Sequence, residues 1–106
     1  MKRGEIWWVN FSPSIGGEIS KSRPAIIVSN NAANQFLNRV QVIPLSSSTA
    51  KLYPSEAYIS FNGVQSKAMA DQLATVSKKR ITNKAGQISH DEMFLVEKAI
   101  STQLDL

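Results

Sequence analysis

The chain has 106 residues, 42% hydrophobic and 19% charged, with 12 Lys+Arg against 8 Asp+Glu and a formal net charge of +4. It contains no cysteine and a single histidine, His90, which excludes disulfides, a thiol nucleophile, a Cys-based zinc site and a multi-histidine metal centre within one chain. No metal or other cofactor is expected. The length fits one domain, 1–106, able to bury roughly two-thirds of the surface its unfolded form exposes. No apolar stretch approaches the roughly 20 residues of a membrane span. The opening Met1-Lys2-Arg3-Gly4-Glu5 carries no apolar signal core. A soluble, cytoplasmic protein without membrane contact is the expectation.

Glu5 to Phe11, with Ile6, Trp8 and Val9, reads as a first strand ending in the turn-forming Ser12-Pro13-Ser14. Gly16-Gly17 opens a polar loop that runs to Ser22. Pro24 to Val28 is a continuous apolar run between polar residues, the pattern of a strand buried on both faces. Ser29-Asn30-Asn31 ends it, and Ala32 to Leu37 is expected to form a short helical turn. Val40 to Leu45 alternates as a third strand and leads into the hydroxyl-rich Ser46-Ser47-Ser48-Thr49. Further strands are expected at Ala57 to Phe61, Lys67 to Ala70 and Leu73 to Val76, with Asn62-Gly63 as the turn between the first two. After Asn83 to Gly86 the period changes. Ser89 and Glu92 have the spacing of a capping box, and Met93, Val96, Ile100 and Leu104 follow at helical spacing. The fold class is therefore mainly β: five to seven short strands in a strongly bent sheet or small barrel, closed by one C-terminal amphipathic helix.

The net charge and a pI near 9.6 lean toward an anionic partner if the basic residues share a face. They fall in three groups: Lys2-Arg3, Lys21 with Arg23, and Lys78-Lys79-Arg80 followed by Lys84. Arg23 stands between the polar loop and the buried strand. There its planar fork of donors suits a phosphate, or caps loop carbonyls, or pairs with Glu18. The run from Ser46 offers hydroxyl donors at a strand end, or is simply a polar loop. Glu18 is a general base or a solvated carboxylate. Trp7 and Trp8, adjacent on a strand, point to opposite faces, so one is expected in the core and one exposed. His90 decorates the first turn of the helix. Residue chemistry alone amounts to a small, basic, β-rich binding domain.

The order of the blocks adds more. Arg3-Gly4-Glu5-Ile6-Trp7-Trp8-Val9-Asn10-Phe11 with Pro13 is followed by Gly16-Gly17-Glu18 and by Arg23-Pro24-Ala25-Ile26-Ile27-Val28-Ser29. Then come Val42-Ile43-Pro44-Leu45-Ser46-Ser47, Ala70-Asp71-Gln72 and the basic segment Lys78 to Ile81 before the terminal helix. Over essentially the whole chain this series resembles the MazF/PemK family of toxin ribonucleases from bacterial toxin–antitoxin modules. The resemblance implies an SH3-like barrel with a C-terminal helix, acting as a homodimer that cleaves single-stranded RNA, mainly mRNA, at short sequences and without a metal. The 2′-hydroxyl attacks, leaving a 2′,3′-cyclic phosphate and a 5′-hydroxyl. The family's active-site arginine falls on Arg23, its active-site hydroxyl on Ser46, and an acidic residue proposed as catalytic in some members on Glu18. Lys21, Phe11, Ser47, Lys78, Lys79 and Arg80 are the expected RNA contacts. The implied partner is an acidic, partly disordered antitoxin segment, which a +4 protomer suits.

One loop departs from the pattern. Many members carry Gly-Ser-Glu-Gln-Gly-Gly before the Arg-Pro, whereas this chain reads Gly16-Gly17-Glu18-Ile19-Ser20-Lys21-Ser22. The changes at Gly17, Ile19 and Lys21 leave Arg23 intact and bear on RNA sequence preference, and Lys21 adds positive charge beside the scissile phosphate. Attack by the 2′-OH needs no hydrolytic metal but does need stabilisation of extra negative charge in a phosphorane-like transition state. A guanidinium is already protonated at neutral pH and so is a poor base. Arg23 is therefore assigned to charge stabilisation and proton donation, Ser46 to phosphate positioning, and Glu18 stands as candidate base. Two alternatives share the fold class. A gyrase-inhibiting toxin of the same barrel looks to depend on a Trp-containing C-terminus, where this chain ends Ser101-Thr102-Gln103-Leu104-Asp105-Leu106. The other is a catalytically inactive RNA- or peptide-binding module.

Overall fold

The computed structural model describes residues 1–13, 15–19 and 21–106. Ser14 of the expected turn and Ser20 of the expected polar loop lie outside them. The strands are β1 Glu5–Asn10, β2 Ser22–Ile27, β3 Arg39–Ser46, β4 Glu56–Phe61, β5 Val64–Met69, β6 Ala74–Ser77 and β7 Ile81–Gln87. The α-helices are α1 Asn31–Phe36 and α2 His90–Leu104, and 3-10 turns occupy Ala70–Gln72 and Lys78–Arg80. Every pairing is antiparallel, in the order β4-β5-β3-β2-β1-β7, with β6 alongside β3. The expected mainly β architecture is found, as a curled sheet closed by the C-terminal helix.

The curl follows from two apolar faces. On β2, Ala25, Ile26 and Ile27 are completely buried. Ile26 packs with Ile43, Leu45 and Ile59 beneath Met93, Val96 and Ala99 of α2. Ala25 and Ile27 face the other way, into a second core with Val9, Phe11, Val42, Val76 and Ile81. A strand buried on both sides reads as an unbroken apolar run rather than an alternating one. β3 shares its second edge between two partners. Its first half pairs with β6 (Arg39 with Ser77 through Val42 with Ala74), and its end pairs with β5 (Leu45 with Ala68, Ser46 with Lys67). The 3-10 turn at Ala70–Gln72 sits where β5 leaves that edge and β6 joins it.

One strand lies beyond the segments expected, and two expectations need correction. The segment Ile81–Gln87 is a strand, held by pairing to β1 across two register shifts near Trp7. Its Asn83, Lys84, Gly86 and Gln87 are poor strand formers, so partner pairing overrides local preference. Trp7 and Trp8 are both half-buried rather than one in and one out; the Trp7 indole donates to Glu5 Oε1 at 3.0 Å. On α2 the buried stripe is Met93, Val96 and Ala99 with Ile100 at its margin, while Leu104 is 52% exposed.

Glu5 anchors the β1–β7 seam. Its carboxylate accepts from the Lys2 amide at 2.7 Å and from Trp7, and pairs with Lys84 at 2.9 Å. Burial pushes this carboxyl up, but the bonds from Lys84, Lys2 and Trp7 outweigh that and bring its pKa to about 2. A depressed carboxylate stabilises the fold in full above its ordinary value of 4.5 and loses that contribution as pH falls from there toward 2. Urea unfolding at pH 6 and pH 3 is expected to show a Glu5-dependent loss of about 1 kcal/mol, small because solvent screens the exposed Lys84 end, and absent in Glu5→Gln.

Candidate active site

The candidate residues meet along one row across the sheet. Val9 of β1 faces Arg23 of β2. The β2–β3 register runs Ile27 to Val42, Ile26 to Ile43 and Ala25 to Pro44. That ladder ends two residues short of Arg23 and of Ser46, and alternation along each strand sets both on the face of Ala25, Ile27 and Val42. Ser46 in turn faces Lys67 of β5, and Lys67 faces Tyr58 of β4. Opposed residues of an antiparallel ladder project from the same face with Cβ atoms about 4.5–5.5 Å apart. Arg23, Ser46, Lys67 and Tyr58 therefore line up on one side. Arg23 and Ser46 are half-buried where this row leaves the second core. The Ser46 hydroxyl accepts from the Ser48 amide at 3.1 Å, which leaves its own O–H to donate. Ser47 is exposed beside it.

Two loops flank the row. The β1–β2 loop carries Glu18, exposed, with Oε1 accepting from the Ile15 amide at 2.9 Å. Its two arms are tied near the strands, where the Phe11 amide donates to the Lys21 carbonyl and the Lys21 amide to the Ser12 hydroxyl. Lys21 holds φ +67°, a left-handed conformation, with its side chain exposed. Beneath this loop lies a cavity of about 350 Å³ lined by Phe11, Glu18, Ile19, Asp71, Gln72 and Arg80, among others. Phe11 is only 8% exposed and forms part of the second core, so it presents a wall there rather than a free ring.

The basic cluster at Lys78–Arg80 does not act as a unit. Arg80 donates through Nη1 to the carbonyls of Asn10 and Ser12, at the mouth of the cavity. Lys78 Nζ donates to the Asn34 carbonyl, at the end of β3 remote from Ser46. Lys79 is exposed between them. Arg80 thus joins Glu18 and Phe11 around one cavity, and Lys78 is placed with α1. His90 is the exposed first residue of α2.

Sequence reasoning passed over Lys67. Its side chain is 10% exposed, paired with Glu56 at 3.1 Å and bonded to the Lys51 carbonyl at 3.2 Å, with the Tyr53 ring centroid 5.7 Å away. The available signal was a lysine between Ser66 and Ala68 in an inward-facing stretch. A buried lysine requires a partner. Among the described residues no cluster of His, Asp and Glu is able to hold a metal ion, and no helix is long and apolar enough to cross a membrane.

A family model described as "PemK-like, MazF-like toxin of type II toxin-antitoxin system" matches residues 2–104. The endoribonuclease MazF9 of Mycobacterium tuberculosis is 35% identical over 115 residues, covering 100% of this chain and 98% of that protein. The crystal structure of MazF from Deinococcus radiodurans superposes with a TM-score of 0.88 at 27% identity, over 100% of this chain and 97% of that one. A mycobacterial endoribonuclease solved in complex with its cognate antitoxin has the same fold, with a TM-score of 0.84 at 22% identity over 100% and 96% of the two chains. With the family model and the relative both matching nearly end to end, the chain belongs to the PemK-like, MazF-like toxins of type II toxin–antitoxin systems.

Proposed function

We propose that this toxin is an endoribonuclease that cuts single-stranded RNA, mainly mRNA, at short sequences by attack of a 2′-hydroxyl on the adjacent phosphate. The O2′–P bond forms and the P–O5′ bond breaks, giving a 2′,3′-cyclic phosphate and, once the leaving oxygen takes a proton, a 5′-hydroxyl. The observation that carries this reading is that Arg23 and Ser46 stand on one face near the strand ends, between the two loops. A guanidinium fork and a hydroxyl donor aimed at one phosphate stabilise the charge that develops there. Glu18, on the neighbouring loop, is the candidate to take the 2′-OH proton, and Arg23 to supply one to the leaving oxygen.

The 350 Å³ cavity beside Glu18 suits an unstacked base, and Lys21, Ser47, Lys79 and Arg80 are assigned to the sugar–phosphate chain. Lys78, at the far end of β3, is reserved for a longer RNA path. A mycobacterial endoribonuclease of the same fold is solved with its cognate antitoxin; this protein is read as a homodimer neutralised by an acidic, partly disordered antitoxin segment, to which its net charge of +4 is complementary.

The test is a gel assay of end-labelled RNA and its all-DNA copy with purified protein in EDTA. Discrete RNA cuts ending in cyclic phosphate, with the DNA intact, are expected, because DNA lacks the nucleophile. Intact RNA across a large and varied pool would overturn the reading and direct the work to gyrase inhibition.

A further inference from the structure

The two loops that border Arg23 and Ser46 are both fastened to one short stretch of chain, the end of β5 and the 3-10 turn after it. The Gln72 amide grips the β1–β2 loop with both of its ends. Oε1 accepts from the Ile19 amide at 3.2 Å and Nε2 donates to the Gly17 carbonyl at 3.2 Å. Those bonds fall on either side of Glu18. Five residues earlier, Lys67 holds the other loop, donating to the Lys51 carbonyl at 3.2 Å and pairing with Glu56 at 3.1 Å. Its strand neighbour Tyr58 adds a bond from its hydroxyl to the Thr49 carbonyl at 2.8 Å. Ser46 begins the loop that these last two side chains hold.

We infer that Lys67 and Gln72 are positioning residues which together fix the separation of the Glu18 loop from the Ser46 loop, and so the geometry in which a phosphate meets Arg23 and Ser46. The inference rests on the ribonuclease reading only for its consequence in rate. Two of the three Lys67 N–H donors are engaged within the protein and its charge is paired with Glu56, which sets it to hold the loop rather than to bind a phosphate. The Gln72 amide is likewise consumed by two backbone partners. Their contribution is preorganisation: a loop held in place loses no freedom when substrate arrives, and small displacements at a reacting centre cost large factors in rate.

The experiment compares the full-length wild type with Gln72→Met, Tyr58→Phe, Lys67→Arg and Lys67→Met. Lys67→Met leaves Glu56 buried and unpaired, which by itself destabilises. The other three keep the result interpretable if that variant does not fold. Amide hydrogen exchange is expected to quicken at 17–19 in Gln72→Met and at 47–53 in Tyr58→Phe and Lys67→Met, with Lys67→Arg restored toward wild type. In RNA cleavage, kcat is expected to fall roughly tenfold in Gln72→Met and Lys67→Met, with KM and the salt dependence of binding unchanged. Wild-type protection in both loops would overturn the inference. So would a Lys67→Met protein whose affinity falls and whose salt slope drops by about one, since that marks a direct phosphate contact. A wild type that cuts no RNA would sink the nuclease reading alone, because hydrogen exchange reports the hold on the loops without it.

Discussion

Arg23→Ala is expected to lower kcat for RNA cleavage by about 10²–10³, with kcat/KM falling by a similar factor and KM little changed. The pattern matters more than the size. Arg23 sits half-buried near the start of β2, on the same face of the sheet as Ser46. On the proposed reading its guanidinium meets the phosphate oxygens on which charge builds. A donor that strengthens mainly in the transition state gives equal losses in kcat and kcat/KM, whereas one that only binds substrate raises KM. Arg23→Lys keeps the charge and loses the planar fork, so it is expected to recover only part of the rate. Single-turnover kinetics on one defined oligonucleotide check both variants, with circular dichroism confirming an unchanged fold. Wild-type kcat in Arg23→Ala would remove Arg23 from the chemistry.

A large effect on stability is also expected at Glu92. Its carboxylate accepts from the Ser89 amide at 2.9 Å while the Ser89 hydroxyl accepts from the Glu92 amide at 3.1 Å, completing the capping box of α2. Its second oxygen accepts from the Ser60 amide of β4. One side chain thus satisfies an amide at the helix start and one on a strand, and welds α2 to the sheet edge. Burial pushes the Glu92 carboxyl up, but the bonds from Ser89 and Ser60 prevail and hold it below the ordinary value. Glu92→Ala removes a cap and a charge-assisted bond together, for a loss of about 2 kcal/mol and roughly 10 °C in Tm. Ser60→Ala, whose backbone donor remains, serves as the control and is expected to be near neutral. Thermal melts of the two variants at pH 7 separate these outcomes, and a neutral Glu92→Ala would mean that the helix start is held by packing alone.

Much of this fold could be read from the residues because the strongest signals are local. The run Ala25-Ile26-Ile27 has one sensible place, between two cores, and the Ser89–Glu92 spacing states its own hydrogen bonds. What escaped were features fixed by distant partners. The strand at Ile81–Gln87 exists because β1 supplies its ladder, and nothing in Asn83-Lys84-Ala85-Gly86 announces that. At the site, Arg23 and Ser46 were legible one at a time, and through the family blocks, but that they share one face depends on a pairing of β2 with β3 that only the folded sheet defines. The basic triplet at Lys78 looked like one patch in sequence. The 3-10 turn there sends Lys78 to α1 and Arg80 to the end of β1. Lys67 and Gln72 were hidden for the same reason, since each meets its partners only after the chain has doubled back.

The seam between β1 and β7 joins the first strand to be synthesised with the last. Its contacts have the longest sequence separation in the sheet, and such closures form late and set the pace of folding. The closed sheet is thus the product of its most distant pairing, and a change that weakens the β1–β7 seam is felt in how fast the whole sheet forms rather than at one strand alone.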